Sequence, residues 1–217
     1  MHQLESTIAE FTNHQQNKTI IISLPEFFAS ELFIPRLSEW SEQNPDVNLQ
    51  LDSVRAGGEA AQNADLSVVL TNGRPNAALV HELFPIRYAP ACNKKLYKKL
   101  KNQGRDALRN TPLILHSSRP WSWHQWADQC DIEDFDPKQI IQFNSMFDIA
   151  RAAKQGMGIA LVPLPLTNVW FQEQQLAKLF DEELNTNDRY YLINHDDVAP
   201  KPEITLFVAW FKETFSE

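Results

Sequence analysis

Apolar residues recur along this chain with two periods, and their alternation sets the first picture of the fold. Thr19-Ile20-Ile21-Ile22-Ser23 is β-branched enough for a central strand. Pro25 at a first turn and Glu26 beside the helix dipole then start a helix to about Gln43, with Phe28, Leu32, Leu37 and Trp40 on its apolar side. Pro35 lacks an N–H and should kink it. After the turn Asn44-Pro45-Asp46, Val47 to Leu51 alternates as a second strand. Gly57-Gly58 opens a loop before a third, Asp65 to Leu70. This β-α-β-x-β order implies parallel strands joined by right-handed crossovers.

A further extended stretch, Leu83 to Ala89, leads to Pro90 and a basic helix around Lys94 to Lys101. The pattern then restarts: Pro112 to His116 as a strand, Trp121 to Cys130 as a helix, Gln139 to Phe143 as a strand. Ala, Ile and Met at helical spacing follow Asn144 and Ser145, Gly156 stops that helix, and Ile159 to Val162 is a buried strand. A helix from about Thr167 to Gln175, a tail from Leu176 to Phe180 and a last strand at Tyr190 to Ile193 come next. Pro202 then opens a final helix carrying Ile204, Phe207, Val208, Phe211 and Phe215. Ahead of all this, Leu4, Ile8 and Phe11 form the apolar stripe of a short amphipathic segment.

Composition narrows the functional classes. The chain has 217 residues, 43% of them hydrophobic, and a net charge of −8, which opposes autonomous DNA binding. The one basic cluster, Lys94 to Lys101, reads as a solvated helix face. No apolar run spans a bilayer, and the opening residues lack a secretion-signal layout, so a cytoplasmic location and no membrane partner are expected. Cys92 and Cys130 are too few for a disulfide scaffold and too far apart for a CxxC motif; oxidation sensing by Cys92 is the less favoured alternative to a buried thiol. The six histidines show no metal-ligand spacing, so no metal and no cofactor are expected. No enzymatic activity is expected either: His116 with Ser117 is the best nucleophile-base pair available, and it has no evident third member.

Ser23-Leu24-Pro25-Glu26-Phe27-Phe28-Ala29, Phe33-Ile34-Pro35-Arg36-Leu37, Asn44-Pro45-Asp46-Val47, Ala64 to Val68, Leu83-Phe84-Pro85, Ala91 to Leu96 and the run from Phe143 to Pro163 stand in a telling order. Together they resemble the effector-binding domain of LysR-type transcriptional regulators, closest to the glycine-cleavage-activator and β-lactamase-activator group. The resemblance implies an α/β fold of two Rossmann-like lobes, of the type II periplasmic-binding-protein kind. Lobe I would be 18–90 plus 194–217 and lobe II 91–193, with 1–17 the end of a dimerising linker helix. It also implies a homodimer or higher homo-oligomer, with DNA bound only through an N-terminal winged helix-turn-helix that this chain lacks. A solute-binding protein of the same fold is the alternative.

In the resembled family a small-molecule effector lies in the interlobe cleft. Carried onto matching positions, its contacts are Pro25, Glu26 and Phe27; Leu70, Thr71 and Asn72; and Phe143, Asn144, Ser145 and Met146. His116, Ser117, Ser118 and Tyr190 are further members. Glu26 and Phe27 stand where many relatives place a small residue and a hydroxyl to hold a carboxylate, which implies a neutral, aromatic or cationic effector, or a cleft too filled to bind anything small. Bland readings stand beside these: Glu26 as a first-turn acid, Asn144 and Ser145 as a helix cap, Tyr190 as structural. Trp121, Trp123 and Trp126 read as core rather than as a stacking surface.

Overall fold

The computed structural model describes residues 18–55, 63–195 and 201–216. The stripe Leu4, Ile8 and Phe11 and the glycine pair Gly57-Gly58 lie outside them. The chain divides into two compact units: one takes the residues up to Pro85 and from Asp188 onward, the other Ile86–Asn187.

In the first unit, β1 (Thr19–Pro25) lies parallel to both β2 (Asn48–Val54) and β3 (Leu66–Thr71). The parallel arrangement follows from the chain between β1 and β2, which is helical: α1 (Glu26–Phe28), a π-helical turn (Ala29–Phe33) and α2 (Ile34–Gln43). The irregularity falls before Pro35 rather than at it. A proline ring collides with the carbonyl four residues back, here that of Glu31, and the chain relieves this by widening the turn around it. Ile34 N–H accordingly reaches back five residues to the Ala29 carbonyl. Arg36 Nη1 donates to the Leu32 carbonyl at 2.8 Å. Pro25 also stands elsewhere than expected: at φ −58° and ψ 131° it ends β1 in extended backbone and caps α1 instead of forming its first turn.

The core of this unit is aromatic. Phe28 and Phe33 stack on Phe211 with centroids 6.2 and 5.7 Å apart, and Trp40 meets Phe207 edge-on at 5.1 Å. The four Phe side chains come from α8 (Pro202–Phe215) or from the start of the α1–α2 run, and Ile204, Phe207, Phe211 and Phe215 are all buried at the 3–4 spacing seen in the sequence.

The chain leaves and re-enters this unit along two long strands, β4 (Leu79–Cys92) and β9 (Leu184–Asn194). Between them the second unit holds α3 (Lys94–Leu100), α4 (Asp106–Asn110), β5 (Leu113–His116), α5 (Ser122–Gln129), β6 (Ile140–Phe143), α6 (Met146–Gln155), β7 (Ile159–Leu164), α7 (Asn168–Gln172) and β8 (Ala177–Lys178). β5 is parallel to β6 and β7, while β4 is antiparallel to β7 and β8. Trp123 and Trp126 are fully buried, and their N–H groups donate to the carbonyls of Ile114 and Glu182, both at 3.0 Å. Trp121 corrects the expectation of a core residue. It precedes α5, is 67% exposed and touches the His124 ring edge-on.

The α6–β7 segment is built as its sequence reads. Gly156 takes the left-handed conformation, φ 78°, that closes a helix. Every residue of β7 is buried. Gly158 lets the chain pass against Pro112, since a Cβ there would stand 2.2 Å from the Pro112 carbonyl oxygen.

Candidate functional site

The expected site residues form two groups, one in each unit. In the first unit, β1 and β3 run the same way with Ile22 opposite Leu66 and Ser23 opposite Ser67, so their carboxyl ends emerge at the same end of the sheet. Pro25, Glu26 and Phe27 follow from β1, and Leu70, Thr71 and Asn72 from β3. The carboxyl ends of parallel strands are where open α/β sheets place ligands, because the next helices begin there with unpaired N–H groups. Glu26 is half-buried at the first position of α1, Leu70 and Thr71 are half-buried and Asn72 is exposed. Phe27 is 8% exposed, so most of its ring is packing.

Tyr190 belongs to this unit through β9, where it lies opposite Leu70 in antiparallel register. Its ring is buried against Phe28 and Phe84, at 5.0 and 5.2 Å between centroids. It therefore holds Leu70's strand in place from within the aromatic core.

The second group is tighter. β5 and β6 end level, with His116 opposite Phe143, and Ser117 N–H donates to the Phe143 carbonyl at 2.8 Å. This bond fixes the turn after β5 beside the start of α6. His116 Nδ1 accepts from Ser118 N–H at 3.2 Å and meets Ser118 Oγ at 2.7 Å. The ring also hydrogen-bonds to the backbone of Asn144. Burial, followed by the Arg119 charge, pushes the His116 pKa below its usual value of 6.5, against the bond to Asn144, which raises it. Burial thus favours the neutral ring, which bonds to Ser118 and to the Asn144 backbone. Arg119 is the neighbour that sequence reasoning passed over. A lone arginine after two serines carries no spacing signal, yet it sits 5.4 Å over the Tyr88 ring and next to His116 in charge.

Asn144 is exposed, while Phe143, Ser145 and Met146 are half-buried. Ser145 occupies the N-cap position of α6 in extended backbone, φ −133° and ψ 131°, but its hydroxyl makes no capping hydrogen bond. The simple capping explanation for a serine here is therefore not the one the side chain follows. α6 is ten residues long and begins with Asp148 in its first turn.

As a hydrolytic centre the group is incomplete. The hydroxyl on His116 is that of Ser118 rather than Ser117, and the ring's further bond goes to the Asn144 backbone instead of a carboxylate. Among the described residues no cluster of His, Cys, Asp and Glu has metal-binding geometry. None of their helices is long and apolar enough to cross a membrane. Cys92 is fully buried and its thiol is pushed up to about 12 by that burial, which leaves no thiolate for redox chemistry near neutral pH.

Comparison with known proteins gives the family and the fold. The family model for the LysR substrate binding domain matches residues 13–216. The glycine cleavage system transcriptional activator of Escherichia coli (strain K12) is 24% identical over 216 residues, which cover 96% of this chain and 70% of that protein. The HTH-type transcriptional activator AmpR of Enterobacter cloacae is 22% identical over 213 residues, covering 97% and 72%. The effector domain of the transcriptional regulator AmpR of Pseudomonas aeruginosa superimposes with a TM-score of 0.77 at 20% identity, covering 91% of this chain and 94% of that one. The AmpR effector binding domain from Citrobacter freundii gives 0.78 at 20% identity, covering 90% and 97%. The fold is thus the two-lobed, periplasmic-binding-protein-like α/β fold, and these relatives are regulators of transcription rather than enzymes. With nearly its whole length matched, this chain belongs to the LysR substrate binding domain family.

Proposed function

We propose that this chain is the small-molecule-sensing part of a transcriptional regulator, and that both groups of residues take part in holding the effector. The observation that carries the reading is Ser145. Its hydroxyl is left out of the cap of α6 at the carboxyl end of β6, beside a His116 ring that is bonded to Ser118 and to the Asn144 backbone. A half-buried hydroxyl without a capping role, next to helix-start N–H groups, is suited to a ligand's polar group. Family membership and the effector-binding domains of similar fold support the same reading.

In this reading Asn144, Ser145 and Met146 with His116 and Ser117 bind from the second unit. Pro25, Glu26, Phe27, Leu70, Thr71 and Asn72 bind from the first, with Tyr190 as the strand partner of Leu70. DNA is bound by a winged helix-turn-helix elsewhere in the full-length regulator, which works in the cytoplasm as a homodimer or higher homo-oligomer. The effector is neutral, aromatic or cationic, because a carboxylate placed about 4 Å from Glu26 would be repelled by roughly 4 kcal/mol at an effective dielectric near 20. Calorimetry of the wild type and Glu26→Ser with matched carboxylate and amine ligands tests the charge argument. The wild type should favour the amine and the substitution should narrow the gap. A wild type that favours the carboxylate, with no change on substitution, refutes it.

A further inference from the structure

The second unit contains a pocket of about 530 Å³, widely open to solvent, that involves none of the residues assigned above. It lies where α3, α7 and β8 come together. Phe171, Leu176 and Ala177 supply an apolar wall, Lys94 and Lys178 the cations, and no Asp or Glu lines it. In a chain with a net charge of −8, a cavity with two cations and no acid is locally distinct.

The surroundings offset the positive charge only in part. Lys94 Nζ donates to the side-chain oxygen of Gln174, a neutral acceptor. Lys178 Nζ is 2.6 Å from Glu183 Oε1, but Arg87 Nη1 is 3.0 Å from the other oxygen of the same carboxylate. Two cations thus share one anion. Lys178 Nζ also stands 5.9 Å from the Phe171 ring centroid, so charge and aromatic surface adjoin at one wall. The volume is within the range of small-molecule sites, roughly 300 to 1,000 Å³.

We infer that this cavity is a second ligand site, which takes a small organic anion with an aromatic or apolar body. The anionic group sits between Lys94 and Lys178, and the body lies on Phe171 and Leu176. The site is independent of the proposed effector site, and its occupant carries the opposite preference in charge.

The test is a heteronuclear NMR titration of the 217-residue chain with phenylacetate, phenethylamine and inorganic phosphate. Phenylacetate should shift the amides of α7 and β8 saturably, with a dissociation constant of about 1 mM or tighter. Phenethylamine should not, and phosphate should bind more weakly for want of the apolar body. Lys94→Gln should weaken phenylacetate about fivefold, the upper end for a solvent-exposed ion pair, and added salt should do the same. Phe171→Ala should weaken phenylacetate but leave phosphate unchanged. The inference is overturned if phenethylamine matches phenylacetate, if phosphate binds as well as phenylacetate, if the shifts fall outside α7 and β8, or if nothing saturates.

Discussion

Gly158 lies so close to Pro112 that a Cβ would stand 2.2 Å from the proline's carbonyl oxygen, and the next residue, Ile159, donates its N–H to that oxygen at 2.9 Å. The contact is backbone against backbone, with no flexible side chain to give way. Gly158→Ala should therefore cost about 2 kcal/mol, the usual scale for overpacking a core, by pushing β7 away from β5. Urea denaturation should show a lower midpoint with an unchanged slope.

Asn93 couples two helix ends. Its Oδ1 accepts from Leu96 N–H at 2.8 Å, capping α3, while its Nδ2 donates to the Lys154 carbonyl at 3.1 Å near the end of α6. Asn93→Ala should lose about 1 kcal/mol from the cap alone. Gly156→Ala should cost roughly 1 to 2 kcal/mol, because it strains a left-handed residue and drives its methyl to 2.6 Å from Asn93 Nδ2. The two losses share a partner, so the double variant should fall short of their sum in a double-mutant cycle.

The α6–β7 segment was legible because local rules agree there: helical spacing, a glycine stop and a fully buried apolar strand all point one way. The two strands that pass between the units were read too short, as Leu83 to Ala89 and Tyr190 to Ile193. Their outer parts carry His81, Glu82, Asn185, Asn187, Asp188 and Arg189, which have little intrinsic strand preference. Partners elsewhere in the chain hold them extended: Arg189 Nη1 bonds Glu82 at 2.7 Å, and Thr186 Oγ1 donates to the Ile86 carbonyl at 2.8 Å. α4, only five residues long, was not anticipated, since Asp106 to Asn110 is too short to show a period. At the site, the bonds of His116 to Ser118 and to the Asn144 backbone lie in turns whose partners no spacing announces.

Acid should destabilise the protein through two histidines. Burial comes first in lowering the pKa of both His81 and His116 from 6.5, with Lys212 and Arg74 adding to it at His81 and Arg119 at His116. The unfolded chain then binds protons more readily than the folded one, so the stability these groups contribute is full above pH 6.5 and falls as the pH drops through that value and below. Denaturation midpoints measured on either side should fall on acidification. His116→Gln and His81→Gln should each flatten the decline; equal slopes in wild type and variants would contradict the assignment.

Thiol labelling should separate the two cysteines. Cys92 is buried with a thiol pushed up to about 12, whereas Cys130 is half-buried with a thiol raised less simply: burial and the charges of Glu182 and Asp131 raise it, and Arg105 lowers it. Iodoacetamide near neutral pH should modify Cys130 first and reach Cys92 only on unfolding. Rapid modification of Cys92 in the folded protein would show that β4 opens.

The account rests on effector sensing at the ends of β1, β3, β5 and β6, and a thermal-shift screen of neutral, cationic and anionic metabolites tests it most directly. It predicts at least one neutral or cationic compound that raises the melting temperature of the wild type, with the rise lost in Ser145→Ala and altered in Glu26→Ser. Stabilising compounds whose effect survives both substitutions would contradict it.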